Sequence, residues 1–163
     1  MKVDFHLHSS ASKDSNTSPS QLVQTARRKG LGRIVVTDHN SIAGALAARE
    51  LDPELVIVGE EIRTTRGEIL AAFVTREIPR DLPPREVILR LRDQGAFISV
   101  SHPYDNWRDG AWHEEDLLEI LPLVDAIGPA KAGILSGGAA AYFASMLAVL
   151  SFFTKVSFEM VPR

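Results

Sequence analysis

Cysteine is absent from the 163 residues, which excludes disulfides and thiolate metal sites. Any metal must therefore be held by His, Asp and Glu, donors that suit Zn, Mn, Fe or Mg better than soft metals. An excess of basic charge is missing as well. The net charge is −3, so no overall positive field recruits nucleic acid or an acidic membrane. A nucleic-acid substrate would have to be held locally, by a metal site and a few basic residues, and stable binding of duplex DNA is not expected. There is no glycine-rich phosphate loop of the P-loop type, no internal repeat and no low-complexity linker. The N-terminus runs straight into a strand-like segment carrying Asp4, so no signal peptide is expected and the cytoplasm is the expected location.

What is present is an ordinary globular balance. Hydrophobic residues make up 45% and charged residues 24%, and a chain of this length buries a core without staples. Short apolar runs alternate with helical stretches. Residues 2–7 (KVDFHL) read as a strand, followed by the polar loop SSASKDSNTS. A helix is expected from Ser18, because Pro19 suits the first helical position and Ser18 with Gln21 makes a capping box. Residues 32–37 (GRIVVT) form a second strand, and a helix follows from about Ser41 with Asn40 as its expected cap. Residues 55–58 and 68–75 read as the third and fourth strands. A helix over 85–94, a strand over 96–101, a helix near 114–121 and a short apolar run over 123–127 complete the pattern. This βα order predicts a parallel sheet or barrel with helices outside.

Four of the five histidines are placed at strand ends. His6 and His8 stand two apart, so on a strand both rings leave the same face. His39 follows the second strand in VVTDHN and His102 follows a later one in VSHP. Asp14 lies in the loop after the first strand, Asp38 adjoins His39, and Glu60 and Glu61 come directly after LVIVG. Loops at the carboxyl ends of barrel strands converge on one face, so these groups predict a polynuclear metal site. Read singly, Asp14 shapes a turn, Glu60 is a solvated or outlying neighbour, and His113 is a surface residue at a helix start. Trp107 and Trp112 line a hydrophobic loop on the simplest reading. Lys13, Arg63, Arg66 and Arg108 lie in loops on the same face, where Arg63 and Arg66 are weak candidates for a phosphate clamp.

The stretches DFHLHSSASKDS, GLGRIVVTDHNSIAGALAA, VIVGEEI, GEILAAFV and VSHPYD, in this order, resemble the PHP (polymerase and histidinol phosphatase) metal-dependent phosphoesterases. The resemblance covers residues 1–127. It implies an α/β fold, a distorted (β/α)7 TIM-like barrel, holding two or three divalent metal ions that hydrolyse phosphate esters with an activated water. It also implies roles. His6 and His8 would be ligands of a first metal, Glu61 a bridging carboxylate and His102 a ligand of a second metal. Asp14 and His39 would hold a third, and Asp38 would orient a neighbouring imidazole. His6, His8, Glu61 and His102 would carry catalysis through the metals. The stand-alone layout implies nucleotides or the 5′ ends of short single-stranded oligonucleotides as substrates, in the manner of a 5′-3′ exonuclease.

One part of the family pattern has no counterpart. No histidine follows His113 and no aspartate follows Asp125, so the family's closing Asp-x-His is missing and the barrel is expected to be incomplete. From Gly128 the texture changes, and residues 132–154 carry no charge at all. This gives an expected division into a βα portion over 1–127 and an apolar tail over 128–163. The tail is expected as an apolar helix, with a membrane segment as the alternative. Three other readings stand beside a phosphodiesterase: a catalytically impaired remnant that binds metal or a partner, a membrane-anchored phosphoesterase, and a histidinol-phosphatase-like phosphomonoesterase.

Overall fold

The computed structural model describes residues 1–103 and 110–127. The expected change at Gly128, the apolar segment 132–154, Trp107 and Arg108 all lie outside the described residues. Among the described residues no helix is long and apolar enough to cross a membrane.

Six strands form one curled sheet in chain order, about half of a barrel wall. They are β1 (Val3–Leu7), β2 (Arg33–Val36), β3 (Val56–Arg63), β4 (Glu68–Ala72), β5 (Phe97–Val100) and β6 (Ala126–Ile127). Four helices, α1 (Pro19–Arg28), α2 (Ala43–Leu51), α3 (Pro84–Arg92) and α4 (Glu114–Ile120), connect them, and a 3₁₀ turn (Leu121–Leu123) precedes β6. The sheet is not all parallel. The pairs β1–β2, β2–β3 and β5–β6 are parallel, whereas β4 runs antiparallel to both β3 and β5. The reason is the length of the link. Only four residues separate β3 from β4, too few for a parallel crossover, which needs a dozen or more. Thr64 closes this hairpin: its N–H and hydroxyl both donate to Gly67 O, at 2.8 and 2.7 Å.

Local chemistry explains the elements that the sequence places well. The side chain of Ser18 accepts from Gln21 N at 3.3 Å and Gln21 Oε1 accepts from Ser18 N at 2.9 Å, the two halves of the capping box. The helix expected from about Ser41 forms as α2, but not with Asn40 as its cap. The helix starts at Ala43, and Ile42 at its N-cap makes no side-chain cap bond. Instead Asn40, with φ 52°, turns its side chain to accept from Arg63 N at 2.8 Å. Asparagine tolerates this left-handed conformation better than most residues.

Strand alternation divides the apolar side chains between two faces. Ile34, Val36, Val56, Val58, Ile62, Ile69, Ile98 and Val100 join the helix residues Leu22, Ala45, Val87, Leu91 and Leu117 in the main core. Val35, Ile57, Ala72, Phe97 and Ala126 form a smaller cluster with Phe5 and Phe73. On β3, Glu60 and Glu61 therefore leave opposite faces. Trp112 belongs to the main core, 3% exposed, and its indole N–H donates to Glu68 O at 3.0 Å, so it is a core tryptophan tied to β4.

Candidate metal centre

Sheet register brings the titratable groups together. Thr37 N donates to Leu7 O at 2.7 Å, which ties the end of β1 to β2 just where His6 and His8 emerge. The β2–β3 pairing continues past β2: His39 bridges Glu61, Glu61 N donates to Asp38 O at 3.2 Å, and Asn40 N donates to Glu61 O at 2.9 Å. His39 is thereby held beside Glu61. Both glutamates lie within β3 and not after it, since the strand runs on to Arg63 to pair with β4.

Glu61 is the centre of the cluster and fully buried. Its Oε2 is 3.0 Å from His6 Nε2, 3.1 Å from His8 Nε2 and 3.5 Å from His39 Nε2. Its other oxygen, Oε1, is 3.7 Å from His102 Nε2 and accepts from the Ser101 hydroxyl at 2.5 Å. The rings of His6 and His8 stack with centroids 4.9 Å apart, and His6 lies 5.3 Å from His102. Asp14, half exposed, stands 3.2 Å from His8 Nδ1 and 3.6 Å from His39 Nε2. Six titratable side chains from five segments of the chain, His6, His8, Asp14, His39, Glu61 and His102, thus meet with the Glu61 carboxylate at the centre. His102 has φ 47°, a left-handed conformation that costs a non-glycine residue energy.

The charges reinforce one another. Burial opposes ionisation of Glu61, but hydrogen bonds from His6 and His8 outweigh it and hold the carboxyl far below its usual range. Burial likewise opposes a charged His8 ring. The hydrogen bond and charge of Glu61, with Asp14 behind them, prevail and raise it above 6.5. Asp14 is lowered: burial raises it, but the charges of His8 and His39 and the hydrogen bonds to its carboxylate together prevail.

The donor set fits divalent cations. His6 Nε2 and His8 Nε2 face each other at 2.8 Å with Glu61 Oε2 beside both. That places two ring nitrogens and an anionic oxygen where a cation would satisfy all three. With the His8 ring proton on Nδ1 toward Asp14, its Nε2 keeps a lone pair. Three groupings of His and carboxylate atoms are tight enough to share an ion: His6, His8 and Glu61; His8, Asp14 and His39; and His39, Glu61 and Glu68. All donors are nitrogen or oxygen, as Zn, Mn, Fe or Mg require.

Several residues differ from their expected parts. Asp38 touches no imidazole. It is fully buried and accepts from Ser9 N at 2.5 Å and the Ser9 hydroxyl at 2.7 Å, pinning the loop that carries Asp14. The two oxygens of a carboxylate match the paired donors of a serine, and the ring of His39 leaves on another side. Glu60 is not solvated. Its residue is 0% exposed, Oε2 accepts from Ile78 N at 3.0 Å, and Oε1 has no hydrogen-bond partner among the described residues. Burial, with the nearby charge of Glu77, pushes it up to about 8. Arg66 is turned away from the cluster and paired with Asp116 and Glu119 of α4 at 2.8 and 3.0 Å. Arg63 stays at the end of β3, with Asp81 3.8 Å away. His113 is, as expected, exposed at the start of α4.

Three residues went unseen in the sequence. Ser101 donates to Glu61, Ser12 accepts from His39 N at 2.7 Å, and Glu68 places Oε1 3.7 Å from His39 Nδ1. The only signal for Glu68 was a charged residue opening an otherwise apolar strand, EILAA.

Comparison with known proteins gives a consistent picture. The model of the PHP domain family matches residues 4–107. An uncharacterised protein of Methanocaldococcus jannaschii is 35% identical over 117 residues, which are 64% of this chain and 68% of that protein. A 5′-3′ exoribonuclease of Haemophilus influenzae is 43% identical over 67 residues, 39% of this chain but only 24% of the enzyme. The crystal structure of a "putative metal-dependent phosphoesterase" from Bifidobacterium adolescentis superposes with a TM-score of 0.62 at 16% identity. It covers 93% of this chain and 84% of that one. At that identity the likeness concerns the fold.

Proposed function

The chain belongs to the PHP domain family, and from that premise we propose that it is a metal-dependent phosphoesterase. The observation that carries this reading is the meeting of His6, His8, His39 and His102 around the buried carboxylate of Glu61, with Asp14 at the rim. His6, His8 and Glu61 would hold one cation, His102 and the other oxygen of Glu61 a second, and Asp14 with His39 a third. When bound, divalent ions here supply Lewis-acid chemistry, lowering the pKa of water and neutralising phosphoryl oxygens.

The chain's own residues do the rest. The Glu61 carboxyl lies far below its usual range, so it is anionic and offers both oxygens at neutral pH. Ser101 fixes one of those oxygens, and Asp38 fixes the Ser9 loop so that Asp14 stays at the mouth. Arg63 shares the β3 face with Glu61, two residues nearer the strand end, and is the better-placed cation for an incoming phosphate. Phosphodiesters of nucleotides or oligonucleotide 5′ ends are the favoured substrates; support comes from the family resemblance and the partial match to an exoribonuclease. The net charge of −3 and this local site argue for short single strands over duplexes. The βα portion over 1–127 carries this function in a cytoplasmic enzyme.

The test is to measure bound metal per chain, and Mn-dependent hydrolysis of bis(4-nitrophenyl) phosphate, in the wild type and in His8→Ala. Turnover that needs Mn and disappears in the variant supports the proposal. The competing reading is a PHP fold that binds metal without turnover. Stoichiometric metal with no hydrolysis of mono- or diesters would establish that reading instead.

A further inference from the structure

One face of α1 borders an open cavity of about 460 Å³, lined by Asn16, Thr17, Gln21, Gln24, Thr25 and Arg28. The four helical residues recur at spacings of three and four, which puts their side chains on one side of the helix. Leu22 and Ala26 leave on another side, into the core. Among the described residues no carboxylate lines the cavity, and α1 itself contains none, although the whole chain carries a net charge of −3. Asn16 and Thr17 belong to the loop that carries Asp14. That loop is tied down: Ser15 donates its hydroxyl to His8 O at 2.9 Å, and Ser10 N donates to Thr17 O at 2.8 Å. The cavity therefore begins two residues from the mouth of the metal centre.

The polar groups along it are donors. Gln21 Oε1 accepts from Ser18 N at 2.9 Å and from the Ser18 hydroxyl at 3.1 Å. A backbone N–H can only donate, so the capping box fixes the amide oxygen inward and leaves the two N–H groups of Nε2 for a ligand. Arg28 donates from Nη2 to Thr25 Oγ1 at 3.2 Å, which turns its arm back along α1. It has no carboxylate partner among the described residues, whereas the adjacent Arg27 is held by Asp52 at 2.6 Å. A guanidinium carries five donors, so most of those on Arg28 remain available. An amide at the loop end and a cation farther along suit acceptors repeated along a chain better than one isolated anion. No aromatic ring lines the cavity, so bases find no stacking platform and backbone contacts dominate. We propose that this groove is the track for the sugar-phosphate backbone of a single-stranded oligonucleotide beyond the phosphate at the metal centre, with Arg28 and Gln21 Nε2 as its phosphate donors. This deepens the phosphoesterase reading and rests on it for its catalytic meaning, although occupation of the groove can be read without turnover.

The experiment compares the wild type with Arg28→Gln, Arg28→Lys and Arg49→Gln, the last a charge-matched control on the exposed side of α2, outside the groove. With Mn²⁺ present, KM and kcat are measured for a single-stranded hexanucleotide and for bis(4-nitrophenyl) phosphate, which is too small to reach the groove from the metals. The expected result is a hexanucleotide KM raised about 10-fold in Arg28→Gln, mostly recovered in Arg28→Lys and unchanged in Arg49→Gln. The small diester should keep its KM, and kcat should hold for both substrates. The slope of log KM against log salt for the hexanucleotide should become shallower by about 0.7 in Arg28→Gln, the share of one phosphate contact on a single strand. A merely structural role for Arg28 would move both substrates together. An unchanged hexanucleotide KM in Arg28→Gln, or the same rise in Arg49→Gln, would overturn the assignment. Metal-free protein gives a readout that needs no turnover. In ¹H–¹⁵N spectra, the side-chain amide signals of Asn16, Gln21 and Gln24 should shift with the hexanucleotide, less so in Arg28→Gln, and hardly at all with inorganic phosphate at equal phosphate concentration. Equal shifts with phosphate alone would mean a simple anion site and defeat the track. If the wild type hydrolyses no ester, the phosphoesterase proposal falls, and the amide shifts still decide whether the groove binds the strand.

Discussion

Glu60 offers the sharpest quantitative test of how burial governs this fold. The carboxyl is fully buried on the helix-facing side of β3, with one oxygen accepting from Ile78 N and the other unpartnered among the described residues. Burial moves it from 4.5 to about 8. A carboxyl with a raised folded pKa is protonated in the native state while the unfolded chain is already ionised. Stability then falls as pH rises from the unfolded value to the folded one, and levels off above it. Each pKa unit is worth 1.36 kcal/mol. At pH 7 the cost is about 3 kcal/mol relative to a permanently neutral group, and at pH 5 it is about 1. The loss between pH 5 and 7 is therefore about 2 kcal/mol, and any folded pKa above 7 gives nearly the same figure, because the unfolded value sets this part of the curve.

Glu60→Gln keeps the shape and the acceptor for Ile78 N but cannot ionise. Urea unfolding of wild type and variant in chelator, followed by circular dichroism from pH 5 to 7, should show the wild type losing about 2 kcal/mol more than the variant. Histidines titrating in the same window cancel in the difference. Parallel pH profiles would refute the argument, for they would mean that Glu60 ionises in the folded chain as readily as in the unfolded one.

His8 is raised above 6.5 by Glu61 and Asp14, so its charged-state stabilisation is complete below 6.5 and lost as pH rises through the folded pKa. In metal-free protein, unfolding midpoints of His8→Gln should lack that loss. Ser101→Ala removes the hydroxyl that donates to Glu61 Oε1. It should cost about 1.5–3 kcal/mol in chemical denaturation, as bonds to charged groups do. Gly44→Ala places a Cβ against Ser9 Oγ and Asp38 Oδ2, two buried groups bonded to each other. It should destabilise the chain by about 1–3 kcal/mol in thermal melts, and an unchanged midpoint would show that the Ser9–Asp38 clamp yields.

Local rules made part of this protein legible. The Ser18–Gln21 capping box and the apolar runs of the strands depend on neighbours a few residues apart. His6 and His8 are likewise bound by alternation to share a face, because strand geometry has a period of two. The sequence also held the signature of the PHP family and the chemistry of an all-nitrogen-and-oxygen donor set. Only the tertiary structure decided what the register controls. It ran β3 on through Glu60 and Glu61, sent one carboxylate into the helix-packed core and the other among the histidines, and turned β4 antiparallel to bring Glu68 behind His39. It also drew Asp38 to Ser9 and Arg66 to α4. These contacts join residues tens of positions apart, and a one-residue change in strand register would reverse every face. No local pattern specifies that choice; burial of the whole sheet against its helices does.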